Sequence, residues 1–453
     1  VGRFLARMLG SQFPAMTQLS LNTPFVIHWF RRDLRWHDNR ALEKALSSGL
    51  PVVALFVFDE TILGKLNAKN DARVTFLHDT VGALREEAKR HGGDLWVHHG
   101  TPEKLFRELA LNEHLVEVHA NEDYEPYAKG RDNAVSELLA EAGKGFKLAT
   151  DHVVHAPGEV LKPDGTPYTV FTPFSKRWHA NLTPENLQQA ASEDHLDKLL
   201  PWTAPTPPSL KDLGFERSSL TVPDSKVDPG ILRNYAETRD IPAIRGTSRL
   251  SVHLRFGTVS IREVAKLGFE HSEKWLTELI WRDFYQAIMH AFPHSMTAAF
   301  KPRYDRVPWR HDDAHFEAWK QGKTGYPLVD AGMRELLATG FMHNRVRMVV
   351  ASFLCKHLLL DWRLGERHFA EHLLDFELAS NVGGWQWAAG SGCDAAPYFR
   401  VFNPTSQLEK FDRQLAYVKQ WVPEWGTSAY PEPIVDHKMA RQRAIDTYKA
   451  ALA

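Results

Sequence analysis

The chain has 453 residues, 43% of them hydrophobic and 25% charged, with 55 Lys and Arg against 56 Asp and Glu. That composition fits a soluble globular chain of two or three domains and excludes a disordered or fibrous one. No apolar run nears the roughly 20 residues that cross a bilayer. The net charge of -1 removes any argument from bulk basicity for nucleic acid, while a local basic face stays open. Two cysteines, Cys355 and Cys393, cannot make a disulfide scaffold or a four-Cys metal or iron–sulfur centre. A reducing cytoplasm is the simplest compartment, and no metal site is expected.

Residues 1–15 are basic, lack acids and precede Met16, so 1–23 is read as an N-terminal extension. From there apolar runs alternate with helix-spaced segments. Phe25–Phe30, Val52–Phe58, Leu95–His98 and Leu115–Ala120 read as buried strands. Arg40–Ser47, Ala72–Arg90 and Glu103–Leu111 read as helices between them. The alternation predicts a Rossmann-like parallel sheet over 24–150, with ligands expected beyond the strand ends near Asp33–Asp38. No GxGxxG follows the first strand. Residues 151–227, rich in Pro, Ser, Thr and Asp, read as a connector wrapped on the surface. Beyond it, 228–453 reads as an all-helical domain. Glu273–Ala291, Leu328–Ala338, Asn344–Leu360, Glu366–Leu374 and Glu409–Gln420 carry apolar residues on helical spacing. The fold class is α/β plus all-α.

Four patterns bear on chemistry. Gly322-Lys323-Thr324 ends like a phosphate-binding loop, but Glu317 stands where the first glycine belongs, which rejects it. His368 to His372 fits HxxEH, a zinc-hydrolase pattern easily met by chance among 23 His. Gly246 to Ser251 gathers amides, hydroxyls and a guanidinium able to cradle a pyrophosphate, although capping explains them equally well. On the helix from Trp275, the residues Glu278, Trp281, Arg282 and Tyr285 share one face. Likewise Asn344 and Met348 share a face, with Arg345 and Arg347 directed elsewhere. Nine of the 14 Trp fall between Trp275 and Trp425, and Gly383-Gly384 permits close backbone approach. A Trp-rich helical domain with polar groups inside suggests an aromatic redox cofactor such as a flavin.

Six segments then carry a resemblance: WFRRDLRWHDN (29–39), GTSRLS (246–251), WLTELIWRDFY (275–285), GKTGYPLVDAGMR (322–334), MHNRVRM (342–348) and NVGGWQWAAGSGCDAAPYFRVFNP (381–404). In this order, across about 24–445, they resemble the photolyase/cryptochrome family, most closely class I cyclobutane pyrimidine dimer (CPD) photolyases. The resemblance implies light-driven repair of UV-damaged DNA by a monomer whose 228–453 domain holds one FAD. Tyr235, Thr247, Ser248, Arg249, Leu250 and Ser251 match family cofactor positions. So do Trp275, Arg282, Arg347, Asp375, Phe376 and Glu377, with Arg347 placed to pair with Asp375. Asn381 matches the residue facing flavin N5, where plant cryptochromes carry Asp and animal ones Cys.

By the same resemblance Trp385, Trp362 and Trp309 form an electron-transfer chain, and Glu278, Trp281, Asn344, Met348 and Trp387 line the lesion cavity. Arg345, Arg400 and Gln407 would contact DNA phosphates. The stretch 301–310 adds Lys301, Arg303, Arg306 and Arg310 against Asp305. Two positions depart from the pattern. Val382 replaces a second Asn beside Asn381, and Tyr127-Ala128 stands where folate-binding relatives carry Asn-Glu. A folate antenna is therefore not implied, and a deazaflavin, a second flavin or no antenna stay open. The rival readings are a cryptochrome-type photoreceptor, a zinc hydrolase on His368 and His372, and a DNA-binding module with a structural flavin.

Overall fold

A computed structural model describes residues 23–453; nearly all of the 1–23 extension lies outside the described residues. The chain divides into two compact units. The first comprises the chain through Val154 with Pro184–Ser219 and Phe256–Val264, and the second comprises His155–Thr183, Leu220–Arg255 and Ala265–Ala453.

The first unit is built on a five-stranded parallel sheet: β1 (Phe25–Phe30), β2 (Val52–Asp59), β3 (Leu95–Gly100), β4 (Leu115–Asn121) and β5 (Gly145–Ala149), in the order β3-β2-β1-β4-β5. Every residue of β1 and β2 is buried, which is why these strands read as unbroken apolar runs rather than alternating ones. Helices α1 (Arg40–Leu46), α2 (Ala72–Arg90), α3 (Pro102–Leu109) and α4 (Pro126–Glu141) join or flank the strands. Asn39 and Asp71 cap α1 and α2 by accepting from Leu42 N and Arg73 N. Phe106, Leu105 and Leu109 of α3 pack with Trp29, Ile27 and Leu55 of the sheet.

Two elements of this unit escaped the sequence pattern. Strand β5 is an edge strand, mostly uncovered, so it carries no apolar run. Helix α4 buries the charged pair Arg131-Asp132 beside Val135 and Leu139. Those charges hide its periodicity, yet Asp132 is the partner of buried Arg31 at 2.5 Å. Above Ala128 in the same helix, Tyr127 donates to Asp59 at 2.6 Å.

The Asp33–Asp38 region is consumed by internal bonding. Asp33 accepts from Arg31 N (2.7 Å), Asn39 (3.0 Å) and Asn121 (2.6 Å). Asp38, in a left-handed backbone conformation (φ 45°), pairs with buried Arg262 at 2.8 Å. Arg262 also reaches Asp151 at 2.7 Å, and Arg35 meets the other Asp151 oxygen at 2.6 Å. These bonds close residues 33–39, 151 and 256–264 into one knot.

The second unit is helical. Helix α5 (Phe171–Asn181) lies inside the stretch read as a surface connector, and it buries Phe171, Phe174 and Trp178. That stretch is thus partly core, its aromatic residues masked by the Pro and Thr around them. The unit continues with α6 (Glu273–Ala291), α7 (Asp313–Lys320), α8 (Pro327–Thr339), α9 (Asn344–Ser352), α10 (Trp362–His372), α11 (Leu378–Ala389), α12 (Pro404–Phe411), α13 (Ala416–Trp421) and α14 (His437–Leu452). The single helix expected over 344–360 changes character at Ser352. A π turn, Phe353–Leu358, follows, and Leu359 in a left-handed conformation (φ 54°) ends it. On that turn buried Lys356 donates to Ala389 O at 2.8 Å and sits 3.7 Å from the centre of the Tyr448 ring. The expected 409–420 helix is two short ones, α12 and α13, parted at Asp412, whose carboxylate accepts from Tyr417 N and Val418 N.

The Arg262 knot gives the first prediction. Burial alone would raise the Asp151 carboxyl, but Arg35 and Arg262 hold it down to about 2. Its contribution to stability is therefore complete above its ordinary value of 3.8 and is lost as pH falls from there through about 2. Asp151→Ala leaves buried Arg35 without its carboxylate and Arg262 with Asp38 alone, and is expected to cost about 3–5 kcal/mol, measured by urea unfolding at neutral pH. The mutant's denaturation midpoint should change less with pH than that of wild type between about pH 4 and pH 2.

Candidate functional site

A cavity of about 550 Å³ opens within the helical unit. Helix α6 supplies one wall. Ser272 caps it by accepting from Trp275 N, and the predicted stripe of Glu278, Trp281, Arg282 and Tyr285 faces the cavity together with Trp275. The segment Thr247–Ser251 forms a second wall, where Ser248 Oγ accepts from Trp275 Nε1 at 3.3 Å and Arg249 adopts φ 55°. Asp375, Phe376, Glu377, Asn381, Trp385 and Trp387 form a third. Tyr235, Asn344, Met348, Arg345 and Arg347 complete it. The expectation that Arg345 and Arg347 turn away from Asn344 fails: both reach the cavity, Arg345 paired with Asp240 and Arg347 with Asp375.

Ion pairs hold these walls. Arg282 reaches Glu377 at 3.0 Å, both buried. Arg347 reaches Asp375 at 2.9 Å and donates to Met342 O at 2.7 Å, as the resemblance implied. Arg345 pairs with Asp240 at 2.8 Å and lies 4.5 Å from the Phe411 ring centre. Glu278 is bonded to Arg239. Burial pushes the Glu278 carboxyl up, against the pull of Arg239. Burial likewise raises Glu366, which accepts from Asn381 Nδ2 at 2.9 Å while its backbone oxygen accepts at 3.1 Å. With both amide hydrogens engaged there, Asn381 has its Oδ1 left for the cavity.

Sequence reasoning missed Arg239, Glu366 and Phe171. Arg239 follows a four-residue helix, Tyr235–Thr238, too short to show periodicity. Phe171 stacks flat on Trp281, with ring centres 3.6 Å apart and planes 3° from parallel, from a stretch that had no helical signal. Other predicted positions do not line the cavity. Trp362 is buried in the core and Trp309 is partly buried beside Tyr448, ring centres 5.9 Å apart. Arg400, over the Phe402 ring, and Gln407 lie outside the cavity wall. In the basic stretch, Asp305 is taken by Arg363 at 2.6 Å and Arg310 by Asp312 at 2.9 Å.

His368, Glu371 and His372 do come together, with ligand atoms within 4.8 Å of one another. None of the three lines the cavity, although their chain neighbours Phe369 and Leu373 do.

The cavity wall suits a flavin dinucleotide. A Cβ at Gly384, on the wall, would meet nothing within 4 Å, so the backbone there faces open space. The buried Trp385 Nε1, also at the wall, has no protein partner. Hydroxyls from Thr247, Ser248 and Ser251 with the Arg249 guanidinium offer donors for a pyrophosphate.

Comparison with known proteins decides the family. Residues 275–428 match the model of the FAD binding domain of DNA photolyase, and residues 26–193 match the DNA photolyase model. A deoxyribodipyrimidine photo-lyase of Thermus thermophilus is 41% identical over 92% of this chain and 96% of its own. The chain belongs to the photolyase/cryptochrome family.

Among solved structures, a bacterial class III photolyase from Agrobacterium tumefaciens aligns with a TM-score of 0.84 at 34% identity, covering 95% of this chain and 98% of that one. An archaeal photolyase from Sulfolobus tokodaii, described with two FAD molecules, gives 0.78 at 32% identity over 94% and 99%. A Synechocystis cryptochrome gives 0.81 at 27% identity over 95% and 100%. These relatives establish the family and its FAD without singling out class I. Among the described residues no helix is long and apolar enough to cross a membrane.

The two adjacent glycines of α11 separate packing from cavity. A methyl at Gly383 would lie 2.3 Å from the Tyr285 ring, so Gly383→Ala is expected to lose about 1–3 kcal/mol to overpacking. Gly384→Ala is expected to gain up to about 1 kcal/mol of helix stability, both read by chemical unfolding of the flavin-free protein. Gly384→Phe should fold and yet be recovered without the visible absorbance of bound flavin.

Proposed function

We propose that the protein is a deoxyribodipyrimidine photo-lyase that takes a CPD from UV-damaged DNA into its cavity and reverses it in light. The observation that carries this reading is the meeting of two unlike walls in one cavity. Hydroxyls, guanidiniums and paired carboxylates suit a flavin dinucleotide on one side. Indoles, an amide and a partly buried carboxyl suit a pair of pyrimidines on the other. When bound, reduced FAD supplies the light absorption and the single electron that splits the cyclobutane ring, and the electron's return leaves no net redox change.

The chain's own residues bind, orient and exclude water. Thr247, Ser248, Arg249 and Ser251 hold the pyrophosphate. Arg347 is kept in place by Asp375, and Arg282 by Glu377. Asn381, its amide nitrogen held by Glu366, presents an acceptor that cannot ionise. That is the feature favouring repair over the acid-bearing photoreceptor type.

On the lesion side Trp281, backed by Phe171, and Trp387 offer aromatic faces to bases that have left their stack. Photolyases are themselves among the known base-flipping enzymes. Asn344 and Glu278 hydrogen-bond the base edges, and Met348 fills the space between. Glu278, raised by burial and steadied by Arg239, is suited to share a proton with a carbonyl oxygen. Trp385 at the wall, Trp362 in the core and Trp309 towards the surface are indoles able to relay single electrons between solvent and cavity. Arg345, Arg400 and Gln407 position the DNA backbone, a task that needs a local patch and not bulk charge.

The test mixes the protein, flavin bound and reduced, with an oligonucleotide carrying one thymine dimer, in blue light and in darkness. Dimer loss in light alone is expected. Trp281→Ala removes a stacking face worth about 1–3 kcal/mol and should weaken dimer binding roughly tenfold. Glu278→Ala should reduce repair with flavin content unchanged. Bound, reduced flavin without any repair would overturn the reading and favour a photoreceptor or a different photoproduct.

A further inference from the structure

The second face of α10 holds a cluster that the cavity does not use. His368 is buried, and its Nε2 has no hydrogen-bond partner in the protein. One turn on, His372 is half-buried, with its ring centre 4.3 Å from that of His368. Between them in sequence, Glu371 is exposed, and the ligand atoms of the three lie within 4.8 Å of one another.

The proton on His372 is placed by its bonding. His372 Nδ1 is 2.9 Å from His368 O. A carbonyl only accepts, so Nδ1 carries the hydrogen and the Nε2 lone pair is directed away from the helix backbone. Metal-ligating histidines are commonly held in this way, with one nitrogen donating to a backbone oxygen and the other free to ligate. The pair also stands at the C-terminal turn of α10, where a cation is favoured by the helix dipole.

The charged groups facing His368 from α7 are Lys320 and Glu317. They are paired with each other at 2.6 Å and bring no net charge to the cluster. The ring of Trp319, fully buried, lies 5.5 Å from His368 on its inner side.

We propose that His368, Glu371 and His372 form a binding site for one transition-metal dication of the Zn²⁺ or Cu²⁺ type. Two imidazoles select against Mg²⁺ and Ca²⁺, which prefer oxygen. Ligand atoms around a tetrahedral zinc stand about 3.4 Å apart, so small rotations of His372 and Glu371 close the site on the buried His368 nitrogen. Protein donors fill three positions, leaving the rest to water. The ion ties the last turn of α10 together, immediately before the Leu373–Glu377 stretch that forms a cavity wall. It takes no part in bond making. The proposal is independent of the repair reading, because neither its donors nor its test involve the lesion or light.

The test uses the full, untagged chain, stripped with chelator and dialysed against ZnCl₂, with bound metal measured by elemental analysis. One ion per chain is expected, with affinity lowered roughly tenfold or more in His372→Ala. The half-buried position of His372 lets that variant fold. CuCl₂ supplies a second readout, since Cu²⁺ beside His368 should quench the emission of Trp319, and the quenched fraction should shrink in Trp319→Phe. Failure to take up an ion overturns the proposal. So does uptake unchanged in His372→Ala, or copper quenching unchanged in Trp319→Phe.

Discussion

A polar cavity can persist inside a helical core only if the charges on its wall are partnered. Leaving one buried charge alone costs about 3–5 kcal/mol, a large part of the net stability of an ordinary domain. Here the buried pair is Arg282 with Glu377, and the partly exposed pairs Arg347 with Asp375, Arg345 with Asp240 and Arg239 with Glu278 continue it around the wall. Each pair therefore does two things. It satisfies a charge, and it fixes the spacing between two walls. The cavity's dimensions are set by bonds that also keep its lining solvated by protein instead of water.

The α/β unit meets a similar demand with bonds among its own residues. Its polar residues after β1, where open parallel sheets usually receive ligands, are spent on one another and on Arg262. Asp38 accepts a strained backbone as part of that arrangement. A polar cluster at a sheet's carboxyl edge is thus evidence of a demand for hydrogen bonds. Whether a ligand meets that demand depends on what the rest of the chain brings to it.

Much of this was legible in the sequence where one side of an element is uniformly apolar or uniformly chemical. Strands β1 and β2 announced themselves because both faces are buried. The stripe Glu278, Trp281, Arg282 and Tyr285 was readable because four chemically distinctive residues recur at helical spacing. Helix α4 was not, since its buried face carries Arg131 and Asp132, which look like surface residues until Arg31 is placed beside them. Strand β5 and the short helix before Arg239 offer too few residues for any period. Phe171 illustrates the general limit. Its partner Trp281 lies 110 positions away, roughly the length of a whole domain, and no local pattern encodes a contact of that range. The π turn at Phe353–Leu358 was invisible for another reason: its apolar residues continue the helical spacing of α9, and all six of its residues are buried.

That turn has a consequence of its own. Lys356 is buried with no carboxylate paired against it among the described residues, held by a carbonyl and the face of Tyr448. Burial pulls its ammonium down to about 7 from an ordinary 10.5. Slightly above neutrality the folded unit therefore keeps this nitrogen mostly uncharged, whereas an opened chain would protonate it. Local opening of the helical unit around the π turn is then a proton-consuming event. Alkalinity tightens it and a fall towards neutrality loosens it, the same sense as the carboxylate-driven acid response of the α/β unit. One chain thus carries two units whose resistance to unfolding leans in the same direction with pH but over separate ranges, one set by an aspartate between two arginines and the other by a lysine that folding leaves without a counter-ion.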